Sequence, residues 1–201
     1  MPHLCLQRLG MAYLQGQLGL ARDSARGVQL LRTSAQIADQ LADPDTATPL
    51  WVWGMLINHE FDLGPSVPLP FSVLPRLDPV DAGRWIKKSA YLHETKAQCR
   101  MGTAYEYAQL GLPYDPLMSV QYYSLASQGG SEEADMALSK WFLCGAEGVF
   151  SPDEELAYTF AEKAADKGLP SAIFALAYYN EVGLQGEPQL EVAKRFYEKA
   201  S

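Results

Sequence analysis

The chain repeats itself, and that constrains its fold more than any other feature. Ala97-x-x-x-Met101-Gly102-x-x-Tyr105 is followed by a glycine-containing loop (Leu110-Gly111-Leu112-Pro113), then Asp115, the pair Tyr122-Tyr123 and the small pair Ala126-Ser127. Four more copies share this frame. Upstream are Cys5, Leu9-Gly10, Tyr13, Gly16, Asp23, Gly27, Leu30-Leu31 and Ser34-Ala35, then Trp53-Gly54, Ile57, Glu60, Asp78, Ala82, Trp85-Ile86 and Ser89-Ala90. Downstream are Ala134, Leu138-Ser139, Phe142, Gly145, Asp153, Ala157, Phe160-Ala161 and Ala164-Ala165, then Ala172, Leu176-Ala177, Asn180, Gly183, Ala193, Phe196-Tyr197 and Ala200-Ser201. The small residue of the first half falls at 10, 54, 102, 139 and 177, so the spacings are 44, 48, 37 and 38. A shared period with insertions in two early loops is the signature of a helical array.

Each half-repeat reads as an amphipathic helix. Positions 1, 5 and 9 of Ala-x-x-x-Leu-Gly-x-x-Tyr share one helical face, and the small residue at position 6 lets a neighbouring helix approach closely. The second half carries bulky residues inward and ends on a small pair. Gly16, Gly145 and Gly183 fall where the first helix should stop. Asp23, Asp115 and Asp153 fall where the second should be capped. The expected fold is all-α, with ten helices in five antiparallel pairs over residues 3–37, 49–92, 95–129, 132–168 and 170–201, and 1–201 as a single array. Residues 61–80 interrupt it. Prolines 65, 68, 70, 75 and 79 forbid a helix, and the interleaved apolar residues predict an extended loop lying on the array. A shorter loop is expected at Ala38–Thr48.

Composition narrows the function. Lys and Arg number 16 against 24 Asp and Glu, a net charge of −8. Residues 131–201 hold 13 acids and 6 bases, while 1–130 hold 11 and 10. No basic stripe exists for a phosphate backbone or an anionic membrane surface, so nucleic acid is not an expected partner. No apolar run is long enough to span a bilayer, and Met1-Pro2-His3 does not open a secretory signal. The cysteines, Cys5, Cys99 and Cys144, are widely spaced and odd in number; they are read as reduced, partly buried thiols of a cytosolic protein.

The repeat pattern resembles the SEL-one-like repeats, relatives of the tetratricopeptide repeat with longer glycine-bearing loops. That resemblance implies a right-handed α-α superhelical solenoid. Three stretches, Gly10–Gly19 (GMAYLQGQLG), Tyr105–Asp115 (YEYAQLGLPYD) and Glu133–Gly148 (EADMALSKWFLCGAEG), together with Ala157–Ala165 (AYTFAEKAA), resemble the fungal chitin-synthase activators. This narrower resemblance implies a non-catalytic adaptor that activates or positions a chitin synthase for cell-wall chitin. It also implies a cytoplasmic location, peripheral at the plasma membrane through the partner. The alternative is a generic repeat scaffold in signalling or protein quality control. A thiol-using repeat enzyme is disfavoured by three cysteines without regular pairing.

Catalytic chemistry is not visible. His59-Glu60 and His93-Glu94 lack the second histidine of a zinc-protease helix. Asp153-Glu154-Glu155 opens a helix and is read as capping. Gly145–Gly148 and Gly183–Gly186 are not followed by Lys-Ser/Thr and do not cradle phosphate. No catalytic residue, metal, cofactor or small-molecule substrate is expected. Tyr105, Phe142, Trp85, Tyr122 and Phe160 take core positions, whereas Tyr107, Trp141, Tyr178 and Tyr179 are read as lying off the core stripe of first helices. First helices line the concave face of such arrays, and exposed aromatics anchor protein interfaces. With Glu106, Lys140 and Glu181 they form the expected partner-binding set. The competing reading is packing between repeats. The Pro-rich insertion is read as a patch over a repeat junction, with docking as its alternative. The chain starts and stops within apolar helices, so a longer array is expected.

Overall fold

A computed structural model describes residues 2–41, 43–63 and 69–200. The described residues form ten α-helices: α1 Pro2–Gln15, α2 Ser24–Leu41, α3 Ala47–Ile57, α4 Pro79–Tyr91, α5 Thr95–Glu106, α6 Pro116–Gln128, α7 Glu132–Cys144, α8 Glu154–Asp166, α9 Pro170–Val182 and α10 Leu190–Ala200. Two short 3-10 turns, Pro44–Thr46 and Phe71–Val73, complete the list. The only pairing of strand type among the described residues is the isolated bridge Ala146–Phe150. The chain divides into two compact units, 1–113 with α1–α5 and 114–201 with α6–α10.

Boundaries follow the local chemistry. Asp23, Asp78, Asp115 and Asp153 each accept the amide three residues on, from Arg26, Asp81, Met118 and Leu156, at 2.9–3.0 Å. These are one N-cap used four times, with the negative charge at the positive end of the helix dipole. At the other ends, Gly145 and Gly183 take φ of +67° and +74°, which an L side chain rarely adopts.

In the first unit the paired helices meet through absent side chains. A Cβ on Gly10 would lie 3.0 Å from the Gly27 carbonyl oxygen, and one on Gly54 would lie 2.7 Å from Ile86 Cγ1. Leu14, Leu31, Leu50, Leu56 and Ile86 are fully buried around these crossings, each contributing about 1.5–3 kcal/mol of burial free energy. In this unit the small pair of each second helix has a polar task. Ser34 Oγ donates to the His3 carbonyl at 2.6 Å, and Ser89 Oγ donates to that of Ala47 at 2.8 Å. His3 and Ala47 each stand seven residues before the crossing glycine, so the two serines tie the same point of their own pair.

The loop expected at Ala38–Thr48 is shorter than the sequence suggested. Ala38 is helical and buried with Ala47, Leu50 and Leu92, and this packing extends α2 to Leu41. Of the 61–80 insertion, residues 64–68 lie outside the described residues. The rest is non-helical apart from the single turn at Phe71–Val73, and α4 starts with Pro79 in its first turn, where its missing N–H costs nothing. The insertion touches the end of α3, where His59 Nε2 bonds the Pro75 carbonyl at 2.8 Å.

In the second unit the core is built on alanine. Met136, Ala161, Ala164, Ala165, Ala172, Ile173, Leu176 and Tyr179 form one buried cluster. Small side chains on α8 let α9 lie close against it.

Candidate functional site

The predicted partner-binding residues divide between the units. Glu106 ends α5 and Tyr107 caps it, in the first unit; Tyr107 is exposed, and its bond to Glu106, followed by that carboxylate's charge and slight burial, raises its phenol pKa. The other five stand on α7 and α9 of the second unit.

Lys140 and Tyr178 occupy equivalent positions on α7 and α9, one residue after Ser139 and Ala177, and both face solvent, Tyr178 with 51% of its surface exposed. Exposed Cys144 and Val182 hold a second equivalent pair one helical turn on. Glu181 is exposed and accepts the Tyr197 hydroxyl at 2.6 Å. That bond, ahead of desolvation and of the charges of Glu181 and Tyr178, raises the Tyr197 pKa. Together these residues make a mixed surface of a cation, a phenol, a thiol and a carboxylate on neighbouring first helices.

Trp141 is half-buried. Its ring nitrogen donates to Ser119 Oγ at 3.1 Å, and its ring lies 6.4 Å from that of Tyr114 and 6.1 Å from that of Phe150. Phe150 continues to Phe142 at 6.1 Å, and Phe142 stacks on Phe160 at 5.6 Å. This run of aromatic rings crosses the unit, with Trp141 and exposed Tyr114 at its open end. Beside it the loop after α7 lines an open depression of about 430 Å³, with Cys144, Glu147, Val149 and Phe150 among its lining.

Tyr179 departs from the expected set. It is 3% exposed and belongs to the alanine-rich core, so it does not face a partner. The reason is the small residue opposite: the Ser139 hydroxyl donates to the Ala157 carbonyl at 2.6 Å and faces the Tyr179 hydroxyl at 3.1 Å, leaving room for the ring above it. Burial pushes the Tyr179 phenol pKa up, more than the Ser139 bond lowers it. The cysteines also differ from expectation. Cys5 and Cys144 are exposed, and only Cys99 is partly buried. Cys5 does hold the register of Ala97, Ala134 and Ala172, but a preceding second helix covers those three, and no described helix precedes α1.

Sequence reasoning missed a buried charge cluster. Asp135 has no solvent exposure, and its carboxylate takes the Ser127 hydroxyl at 2.5 Å, Lys167 at 2.6 Å and Lys163 at 3.0 Å. Its position corresponds to Gln98, which bonds the Ala90 carbonyl at 3.2 Å, so the cluster is a polar version of a repeat junction. Sequence reasoning also missed Tyr114, Phe150 and Phe174, all in the second unit and all at least partly exposed. Among the described residues no group of three or more His, Cys, Asp or Glu could hold a metal ion, and no helix is long and apolar enough to cross a membrane.

Comparison with known proteins identifies the repeat. Residues 3–38, 95–131, 133–169 and 170–201 match the Sel1 repeat, and α3 and α4 form a further helix pair between the first two of these stretches. Chitin synthase regulatory factor 4 of Schizosaccharomyces pombe is 35% identical over 182 residues, 87% of this chain and 27% of that protein. A chitin synthase regulator of Saccharomyces cerevisiae is 31% identical over 199 residues, 98% of this chain and 27% of that protein. The chain thus spans about a quarter of the length of these two curated relatives. The crystal structure of a protective antigen of uropathogenic Escherichia coli, described as displaying an SLR fold, aligns with a TM-score of 0.79 at 22% identity, over 98% of this chain and 38% of that one. That likeness establishes the all-α Sel1-type repeat fold.

Proposed function

Since the chain belongs to the Sel1 repeat family, we propose that it is a non-catalytic protein-binding array that regulates a chitin synthase in fungal cell-wall chitin synthesis. The observation that carries this reading is the 35% identity over 87% of the chain to a protein named as a chitin synthase regulatory factor. The site supports it in kind. First helices of the second unit expose Lys140, Tyr178 and Glu181, and at the end of α5 in the first unit Glu106 is partly exposed and Tyr107, its cap, is exposed. Trp141, held by Ser119, gives that surface a rigid apolar edge. Aromatic and charged side chains fixed on helices bind a protein with little loss of rotamer entropy.

In this account the protein works from the cytoplasm and reaches the plasma membrane only through its partner. The net charge of −8 favours a basic cytosolic segment of that partner. The reading is tested on fungal membranes stripped of peripheral proteins, by measuring chitin formed with and without the added purified protein. An increase that saturates with protein concentration supports it. Unchanged synthesis across a range that saturates binding overturns the regulatory role.

A further inference from the structure

Two places after the crossing residue of each first helix stands a side chain that four of the five pairs bury: Ala12, Leu56, Ala104 and Tyr179 are at most 3% exposed. In α7 that register holds Trp141, which is only half-buried although described helices precede and follow α7 within the second unit. Its neighbour Tyr114, 6.4 Å away, is 58% exposed. The array therefore leaves an aromatic edge uncovered in the one pair that spends its largest side chain there.

That edge is rigid. The Trp141 ring nitrogen is held by Ser119 Oγ. In the loop after α7, the Ala146 N–H donates to the Phe150 carbonyl at 2.9 Å, and the Ala146 carbonyl accepts from Val149 and Phe150 at 2.9 and 3.1 Å. The Asp153 N–H ties the loop back to the Phe142 carbonyl at 2.7 Å. This tight turn fixes the Phe150 ring 6.1 Å from that of Trp141 and leaves Glu147 and Val149 exposed. A site built this way loses little freedom on binding.

Charge names the ligand. Of the residues lining the open depression beside Phe150, Glu147 alone carries a charge. From Trp141 to Glu162 the chain has five acids and no base, and Glu147, Asp153, Glu154 and Glu155 are all exposed. Lys163 and Lys167 are committed to Asp135, and Lys194, Arg195 and Lys199 stand on α10. Lys140 precedes Trp141 by one residue, about 100° round the helix. An exposed aromatic pair beside unneutralised carboxylates attracts a cation, and a flat guanidinium both stacks on a ring and donates to a carboxylate, which an ammonium does less well.

We propose that this edge docks an extended basic segment of a protein partner, one arginine lying on Tyr114 and Trp141 and a neighbouring cation facing Glu147. The inference rests on the protein-binding reading above and names the chemistry of the segment that binds.

The test titrates the full chain with the synthetic peptide Arg-Gly-Arg-Gly-Arg-Gly and with its lysine and citrulline counterparts, following the Trp141 indole N–H by NMR. The arginine peptide should shift that resonance saturably, the lysine peptide should bind more weakly, and the neutral citrulline peptide should leave it unmoved. Tyr114→Ala and Glu147→Gln, both at exposed positions, should each weaken binding about two- to fivefold. Glu191→Gln, on α10, should leave it unchanged. No saturable shift, a lysine or citrulline peptide that binds as tightly as the arginine one, wild-type affinity in both Tyr114→Ala and Glu147→Gln, or an equal loss in Glu191→Gln overturns the proposal. No synthase enters the titration, so its failure is read apart from a failure to stimulate chitin synthesis.

Discussion

Lys167 Nζ lies 2.6 Å from Asp135 Oδ2, pairing a lysine with a carboxylate that water does not reach. Lys163 approaches the other oxygen at 3.0 Å, and both lysines keep part of their side chains in solvent. Removing the acid frees two lysines that can turn outward, whereas removing both lysines strands a buried charge. Asp135→Asn is therefore expected to cost about 1–3 kcal/mol, and Lys163→Ala with Lys167→Ala about 3–5 kcal/mol. Urea denaturation of the three proteins checks the order.

The Glu60–Arg100 pair predicts a pH dependence. Burial alone would raise the Glu60 pKa, but the bond to Arg100, the charge of Arg100 and the Asn58 side chain together hold it below its ordinary 4.5. A carboxylate depressed in the folded state contributes stability above its unfolded value and loses it as pH falls through the folded one. Glu60→Gln should flatten the acid limb of thermal stability below about pH 4.5 and leave the neutral plateau lower by about 0.5–1 kcal/mol, since the side chain is partly exposed and screened. An unchanged acid limb contradicts the assignment.

Gly54→Ala tests the helix crossing. The added methyl would stand 2.7 Å from Ile86 Cγ1 and 3.2 Å from the Ala82 carbonyl oxygen. Overpacking of about 1–3 kcal/mol opposes a gain in helix propensity of about 1 kcal/mol, so the net effect is a modest loss of melting temperature. Ala177→Gly, at the equivalent and fully buried position of α9, should lose stability through helix propensity and through the loss of a buried methyl.

Tyr179 separates packing from binding. Tyr179→Phe removes one buried hydroxyl contact with Ser139 and should cost about 1 kcal/mol. Tyr179→Ala opens a cavity in the alanine-rich core and should cost about 3–5 kcal/mol. The Phe variant should lower the melting temperature by about 2–4 °C and Tyr178→Ala, at an exposed position, should change it little, and of these two only Tyr178→Ala is expected to weaken partner binding.

The repeat frame was legible because its crossing positions, 10, 54, 102, 139 and 177, require small residues wherever two backbones meet, and its aspartates cap helices by a local rule that needs no tertiary knowledge. Tyr179 was misread because its burial depends on Ser139, a neighbour forty residues away. Cys5 was misread for the opposite reason: its register position is a buried one, but burial there is supplied by a preceding pair. Asp135 could not be distinguished from its neighbours Glu132 and Glu133, because its partners Lys163 and Lys167 come from α8 and its C-cap. Local signals set the elements; the exposure of each side chain on a first helix is decided by what its neighbours place opposite it.

The most direct test of the central claim is affinity capture from fungal membrane extract with the tagged full chain, beside a variant carrying Lys140→Ala and Tyr178→Ala, with partners identified by mass spectrometry. The account predicts a chitin synthase recovered by the wild type and lost or strongly reduced with the variant. A wild type that recovers signalling or trafficking proteins and no synthase would contradict it.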